Sequence, residues 1–316
     1  MKKLLMVFPL VVLLCFTFSC QQGEEVAAEE TEEEVTSGTV NIDGFELAYS
    51  IEGTGIPCLV IGSTKNWPRK TFSGELRKHI KFIFMDNRAF VPPDMPVDIN
   101  NVTIETAVDD VELLRKKLGF EKIAVAGCSY PALLALAYAK KYPDKTSHVI
   151  MVDMSPYWNK QVIKESENYW EANASDNRKE ILKRNREKLT KEILSKVSPG
   201  KAMWMSYVAN APKYWYDPTY DCSWLFEGFD VNPDRMGHCL NNELPKFDFT
   251  KGAQIVTPVF LALGKHSYVC PYYLWDDYKG KLPNLSYNLF EKSGHFPMFE
   301  EQELFDKKLI DWIKSY

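Results

Sequence analysis

Two periods alternate along the chain. Short continuous apolar runs, Cys58 to Ile61, Lys81 to Met85, Lys122 to Ala126, Val149 to Val152, Val259 to Leu263 and Leu285 to Phe290, read as buried parallel strands. Ahead of them, Thr39 to Ile42 and Phe45 to Ile51 flank Asp43-Gly44, a two-residue turn pair that predicts an antiparallel hairpin. Between the runs, Thr103 to Leu118 carries apolar residues at helical spacing and Pro131 to Tyr142 is rich in Ala and Leu. Leu304 to Ile313 is helical near the end. The pattern predicts an α/β fold: a mostly parallel eight-stranded sheet with helices on both faces, opened by the hairpin.

The alternation stops between about Tyr157 and Thr250. Charged helical sequence such as Asn177 to Lys196 gives way there to an aromatic stretch, Met203 to Tyr220, with no obvious strand. This predicts a helical cap, about residues 157–250, inserted after the strand that ends at Asp153. Trp204, Tyr214, Trp215 and Tyr216 are expected either to line a pocket or to pack cap on core.

The first residues stand apart from this pattern. Lys2 and Lys3 precede an apolar run from Leu4 to Phe18 that contains Pro9 and ends at Ser19 and Cys20. A membrane-spanning helix needs about 20 apolar residues, and this run is shorter, so residues 1–20 read as a signal peptide. Small Ser19 before Cys20 resembles the cleavage site of bacterial lipoproteins, with Thr17 where leucine is usual. That resemblance implies lipidation of Cys20, export, and a lipid anchor in the bacterial cell envelope on the periplasmic or surface side. Residues 21–38 are dominated by glutamate and read as an acidic flexible linker, which leaves residues 39–316 as the folded domain.

Composition narrows the partners. The formal net charge of −5 becomes −7 once Lys2 and Lys3 are removed, and the seven glutamates of the linker account for all of it. A near-neutral body offers no basic surface for a phosphate backbone, which excludes nucleic acid as a partner. Hydrophobic residues make up 45% of the chain, enough to fill one sizeable core. With Cys15 and Cys20 set aside, Cys58, Cys128, Cys222, Cys239 and Cys270 remain, and five cannot all pair. Cys222 with Cys239, both in the predicted cap, is the one disulfide considered; free buried thiols are expected elsewhere.

The candidate chemistry lies where strand turns into helix. In Ala124-Val-Ala-Gly127-Cys128-Ser129-Tyr130-Pro131 an apolar strand runs through a sharp turn into an apolar helix. The segment resembles the nucleophile elbow, G-x-S-x-G, of α/β-hydrolases, with Ser129 in the nucleophile slot and Pro131 where glycine is usual. Proline is tolerated in a first helical turn. Cys128 occupies a slot whose side chain points away from the exposed apex.

Glu291-Lys-Ser-Gly294-His295-Phe-Pro follows the last strand and resembles the loop that delivers the family's histidine, which implies His295 as general base. About three residues past Gly264, where the family carries its acid, stands Ser267. A serine cannot stabilise an imidazolium by charge, and losing the carboxylate costs such triads on the order of 10⁴ in turnover. Asp153, at the end of Val149 to Val152, is the candidate acid in its place; aspartate at such a strand end also serves as a helix cap or cap contact. Asp276 and Asp277 lie farther on.

Ile61-Gly62-Ser63 stands where His-Gly is common, and oxyanion donors would be the backbone amides of Ser63 and Tyr130. Asp86-Asn-Arg88 resembles a family loop that has lost its glycines. No phosphate loop, dinucleotide fingerprint or metal-ligand cluster is present in the sequence, so no cofactor and no metal are implied. The resemblance implies a serine hydrolase acting on an ester, amide or peptide bond of a small molecule or short peptide. The alternative is a non-catalytic binding protein that keeps the fold and has lost the triad.

Overall fold

The computed structural model describes residues 36–316 apart from Gly44 and Asn66. The leader with Cys20, and all but the last three residues of the acidic stretch 21–38, lie outside the described residues. In chain order the elements begin with β1 (Thr36–Ile42), β2 (Phe45–Glu52), β3 (Ile56–Gly62), the short helices α1 (Trp67–Thr71) and α2 (Gly74–Arg77), and β4 (Ile80–Asp86). Next come α3 (Ile104–Lys117), β5 (Ile123–Cys128), α4 (Tyr130–Lys141) and β6 (Thr146–Val152). Six helices follow before the next strand: α5 (Lys160–Asn173), α6 (Asp176–Glu187), α7 (Lys191–Leu194), α8 (Pro199–Ala209), α9 (Ala211–Tyr214) and α10 (Pro233–His238). The chain closes with β7 (Val259–Gly264), β8 (Leu285–Phe290), α11 (Pro297–Glu300) and α12 (Gln302–Ile313).

The strands form one eight-stranded sheet in the order β1-β2-β4-β3-β5-β6-β7-β8. β1–β2 and β2–β4 are antiparallel and every later pairing is parallel. The first strand begins at Thr36, three residues ahead of the sequence expectation. β5 and β7 are buried at every position, which requires cover on both faces and explains their unbroken apolar sequences.

Helix α3 is started by a capping box, in which Thr103 Oγ1 accepts from Thr106 N and Thr106 Oγ1 accepts from Thr103 N. Gly119 at φ +73 lets the chain leave the helix in the left-handed conformation. Helix α4 has no side-chain cap at its start. Its Leu133, Leu134 and Leu136 are each at most 1% exposed. Burying each such side chain stabilises by roughly 1.5–3 kcal/mol, against about 1 kcal/mol for a typical N-cap, so packing on β5 and β6 holds this helix.

Parallel register decides where the site can form. Ile61 lies opposite Gly127, Cys128 opposite Val152, Val152 opposite Ala262, and Gly264 opposite Phe290. The chain therefore leaves β3, β5, β6, β7 and β8 at one level, at their carboxyl ends, where open α/β sheets bind ligands. Residues 153–258 contain no strand. The predicted helix over Asn177 to Lys196 is broken: Thr190 Oγ1 accepts from Ile193 N and starts a new turn, separating α6 from α7. Cys222 and Cys239 are not bonded to each other. They sit on different segments, Cys222 against Trp215 and Cys239 near Tyr130, so the considered disulfide is corrected to two buried free thiols.

Candidate active site

Ser129 sits at the apex between β5 and α4 with φ 62° and ψ −140°, a conformation that non-glycine residues adopt only when surrounding structure enforces it. Three contacts enforce it. Ser129 N donates to Val152 O at 2.9 Å and Ala132 N donates to Ser129 O at 2.8 Å. At Gly127 the following helix passes so close that a Cβ would overlap the backbone of Pro131. Pro131 fills the first turn of α4 and is buried, so the proline that departs from the family pattern fits here. Ser129 is partly exposed, and its hydroxyl has no hydrogen-bond partner among the described residues.

Asp153, the first residue after β6, is fully buried and also has positive φ, at 41°. Its amide donates to Ala262 O at 2.8 Å, and its Oδ1 accepts from Gly264 N at 3.0 Å. Its Oδ2 lies 2.5 Å from His295 Nδ1 and accepts from Ser267 Oγ at 2.5 Å. His295 is 2% exposed. With its Nδ1 proton directed at the carboxylate, the imidazole keeps Nε2 as its free acceptor. Ser267 thus stands in the usual acid position and donates to an acid supplied by the neighbouring strand. Asp276 and Asp277 are exposed and take no part in this cluster.

The loop carrying His295 is tied from several sides. His295 N donates to Tyr214 O at 2.5 Å, and His266 N donates to Ser293 O at 2.8 Å. Glu300 accepts from Tyr216 N at 2.6 Å and from Gly294 N at 2.8 Å. Burial pushes its carboxyl up to about 8, against the pull of these amides. Glu301 Oε2 accepts from Lys292 N and Ser293 Oγ, each at 2.8 Å. Gly264 and Gly294 permit the approach, since a Cβ on Gly264 would overlap Gly294 O and one on Gly294 would overlap Tyr214 O. Arg178 on α6 reinforces the cap side, donating to Pro212 O and Trp215 O at 2.7 Å and to Tyr216 O.

Ser63 follows β3 one strand over from Ser129, at the level the β3–β5 register sets. Its amide has no partner among the described residues, and Tyr130 N is the first amide of α4, one of the orphan donors at a helix start. Asp86 accepts from Thr64 N at 2.7 Å and Thr64 Oγ1 at 3.0 Å, which shapes the turn after Ser63. Arg88 makes a bidentate pair with Asp110, both contacts 2.7 Å, away from the chemistry. Burial raises the Cys128 thiol, as it does Cys270. Asp153, Cys270 and His295 offer atoms within 4.8 Å of one another that a soft metal ion would accept as ligands. The facing atoms of Asp153 and His295 are already hydrogen-bonded to each other, and burial keeps Cys270 a thiol, so the arrangement suits proton relay better than a metal.

A family model for the alpha/beta hydrolase fold matches residues 60–302. The chain belongs to that family. It is similar to AB hydrolase superfamily protein YclE of Bacillus subtilis (strain 168), 31% identical over 279 residues that cover 88% of this chain and 98% of that protein. Among solved structures, an alpha/beta fold family hydrolase from Bacillus anthracis str. Sterne is 19% identical with a TM-score of 0.66, covering 88% of this chain and 99% of the other. A thermophilic esterase from Thermogutta terrifontis is 20% identical with a TM-score of 0.60, covering 88% and 96%. At these identities the two structures speak for the fold, and the relatives together support hydrolase activity in general.

Within this hydrolase-fold chain, Ser129, Asp153, His295, Ser63 and Tyr130 come to one end of the sheet. Several members of the cluster were not read from the sequence: the hydroxyl of Ser267 as donor to Asp153, the carbonyl of Tyr214, Arg178, and the carboxylates of Glu300 and Glu301. Ser267, Tyr214 and Arg178 reach groups far away in sequence, Glu300 and Glu301 fold back on the histidine loop, and no local pattern marks them. Of the four aromatics expected to line a pocket or to pack cap on core, Trp204 lines a cap cavity. Trp215 stacks on Phe296 with centroids 4.5 Å apart, Tyr214 lies edge-on to His295 at 5.5 Å, and Tyr216 is exposed over His266.

Proposed function

We propose that the chain is a serine hydrolase cleaving an ester, amide or peptide bond through an acyl-enzyme. The buried 2.5 Å contact between Asp153 Oδ2 and His295 Nδ1, beside a serine at a strained strand-to-helix apex, carries the reading. In this scheme Ser129 Oγ attacks the substrate carbonyl while His295 Nε2 takes its proton. Asp153 holds the imidazole tautomer and stabilises the imidazolium. The amides of Ser63 and Tyr130, aided by the N-terminus of α4, hold the oxyanion. The carbonyl–leaving-group bond then breaks and His295 returns the proton to the leaving group. Water, deprotonated by His295, attacks the acyl ester and frees Ser129. No hydrogen bond joins Ser129 to His295 among the described residues, and such contacts often form only when substrate binds.

The proposed setting, on sequence grounds alone, is a domain tethered through lipidated Cys20 in the bacterial envelope. Labelling with a fluorophosphonate tests the mechanism. We expect labelling of the wild type, none of Ser129→Ala, and a rate lowered on the order of 10²-fold or more in Asp153→Asn. A folded wild type that takes no label would favour the second reading, a binding protein, which the unpartnered Ser129 hydroxyl also suits.

A further inference from the structure

Five consecutive carbonyls of the cap, from Pro212 to Tyr216, all accept hydrogen bonds from elsewhere in the chain. The guanidinium of Arg178, on α6, donates to Pro212 O and Trp215 O at 2.7 Å each and to Tyr216 O. The two carbonyls between take donors from the sheet end. Lys213 O accepts from Tyr268 N at 3.0 Å and Tyr214 O accepts from His295 N at 2.5 Å. Helix α9 ends at Tyr214, where a helix leaves its last carbonyls without donors of its own, and a guanidinium fork is suited to fill them.

Arg178 is 7% exposed, and its charge feels Glu300 and Asp217 without forming an ion pair with a carboxylate among the described residues. Its guanidinium also lies 5.4 Å from the centre of the Tyr268 ring. Burying a cation without a counter-ion is costly, and an apolar side chain could pack cap on core without that cost. What the guanidinium adds is geometry, a rigid plane of donors that reaches three carbonyls at once. The two loops anchored beside it are those of the site. Tyr268 follows Ser267, which donates to Asp153 Oδ2, and the chain after β8 brings His295 to the same oxygen. The join has no slack, because a Cβ on Gly294 would overlap Tyr214 O.

We infer that Arg178 is a positioning residue for His295: from the cap it fixes segment 212–216, and that segment holds the loops after β7 and β8 so that Asp153 Oδ2 and His295 Nδ1 stay in contact. Arg178 hydrogen-bonds to neither group and takes no part in bond making. The inference rests on the serine hydrolase reading for its effect on rate, though not for the geometry it maintains. Without the guanidinium, Tyr214 O no longer has a fixed place from which to hold the histidine loop. A misplacement on the order of 1 Å at a reacting group costs about 10²-fold in rate.

The test compares wild type with Arg178→Lys and Arg178→Gln, each checked for a native circular dichroism spectrum. The control is Lys179→Gln, which removes an ion pair with Glu171 inside the cap and leaves segment 212–216 alone. On p-nitrophenyl acetate both Arg178 variants should lose about tenfold or more in kcat while KM stays within about twofold. Lys179→Gln should match wild type in both constants. A residue that only packs the cap would lower the melting temperature and leave kcat unchanged. Wild-type kcat in the folded Arg178 variants overturns the inference, and so does an equal fall in Lys179→Gln. If wild type neither takes fluorophosphonate nor cleaves the ester, the hydrolase reading fails separately, and the histidine's position is then read by proton NMR. The Nδ1 proton facing Asp153 gives a far-downfield resonance, assigned by its absence in His295→Gln. Loss or displacement of that resonance in the folded Arg178 variants supports the inference; an unmoved resonance overturns it.

Discussion

Asp153 shows how one buried carboxylate is satisfied from several strands. Its two oxygens receive Gly264 N, Ser267 Oγ and His295 Nδ1, and its own amide is spent on Ala262 O. Ser267 occupies the place where relatives of this fold carry an acid, which makes Ser267→Asp an informative change. The Ser267 hydroxyl lies 2.5 Å from Asp153 Oδ2, and a second carboxylate brought in there cannot ionise alongside Asp153 in a buried site, so the pair shares a proton and Asp153 stops serving His295. The expected result is a fall in kcat/KM on the order of 10²-fold or more. Turnover in Ser267→Asp equal to wild type would remove Asp153 from its proposed role. The vacancy at Ser267 was legible in the sequence, and so was Asp153 as a candidate. The hydroxyl's direction was not, because it depends on β6 and β7 lying side by side.

At the scale of elements, the loop between β8 and α11 is held by the two carboxylates at the end of α11 and by the cap segment after α9. Glu300 joins both, accepting from Gly294 N on the loop and Tyr216 N on the cap. Its carboxyl is raised from 4.5 to about 8, so the folded state holds a proton that the unfolded chain has released above 4.5. Stability from this group is therefore present below about 4.5 and is lost progressively as pH rises through about 8. Glu300→Gln carries no such proton and loses one acceptor oxygen. Chemical denaturation from pH 5 to 9 should find the variant less stable at pH 5 by about 1–3 kcal/mol, with a gap that narrows as pH rises. A gap that widens with pH would contradict the assignment. Strand and helix positions in the sheet region were legible because period and apolar run length report burial directly. The break between α6 and α7, and helix α5 as a whole, were not, since charged cap sequence shows only a narrow apolar stripe.

At the scale of the molecule, the cap and the sheet contribute unequally to what a sequence can reveal. The sheet end gathers chemistry at strand termini, where motifs are short and local; the cap cavity is a volume between helices, and no residue pattern encodes an empty space. Yet the same gathering has a kinetic meaning. Ser63, Ser129, Asp153, Ser267 and His295 arrive from five strands whose pairings span most of the chain. Such non-local closure is slow compared with helix formation. During refolding from denaturant, far-ultraviolet dichroism should recover early, while fluorophosphonate reactivity returns only in the slowest phase; reactivity that appears with the first dichroism change would show that a subset of strands suffices. On the serine hydrolase reading, assembling the reacting groups from several separately folded strands means that a half-folded chain holds no half-competent nucleophile, and so would not cleave indiscriminately while it is still finding its shape.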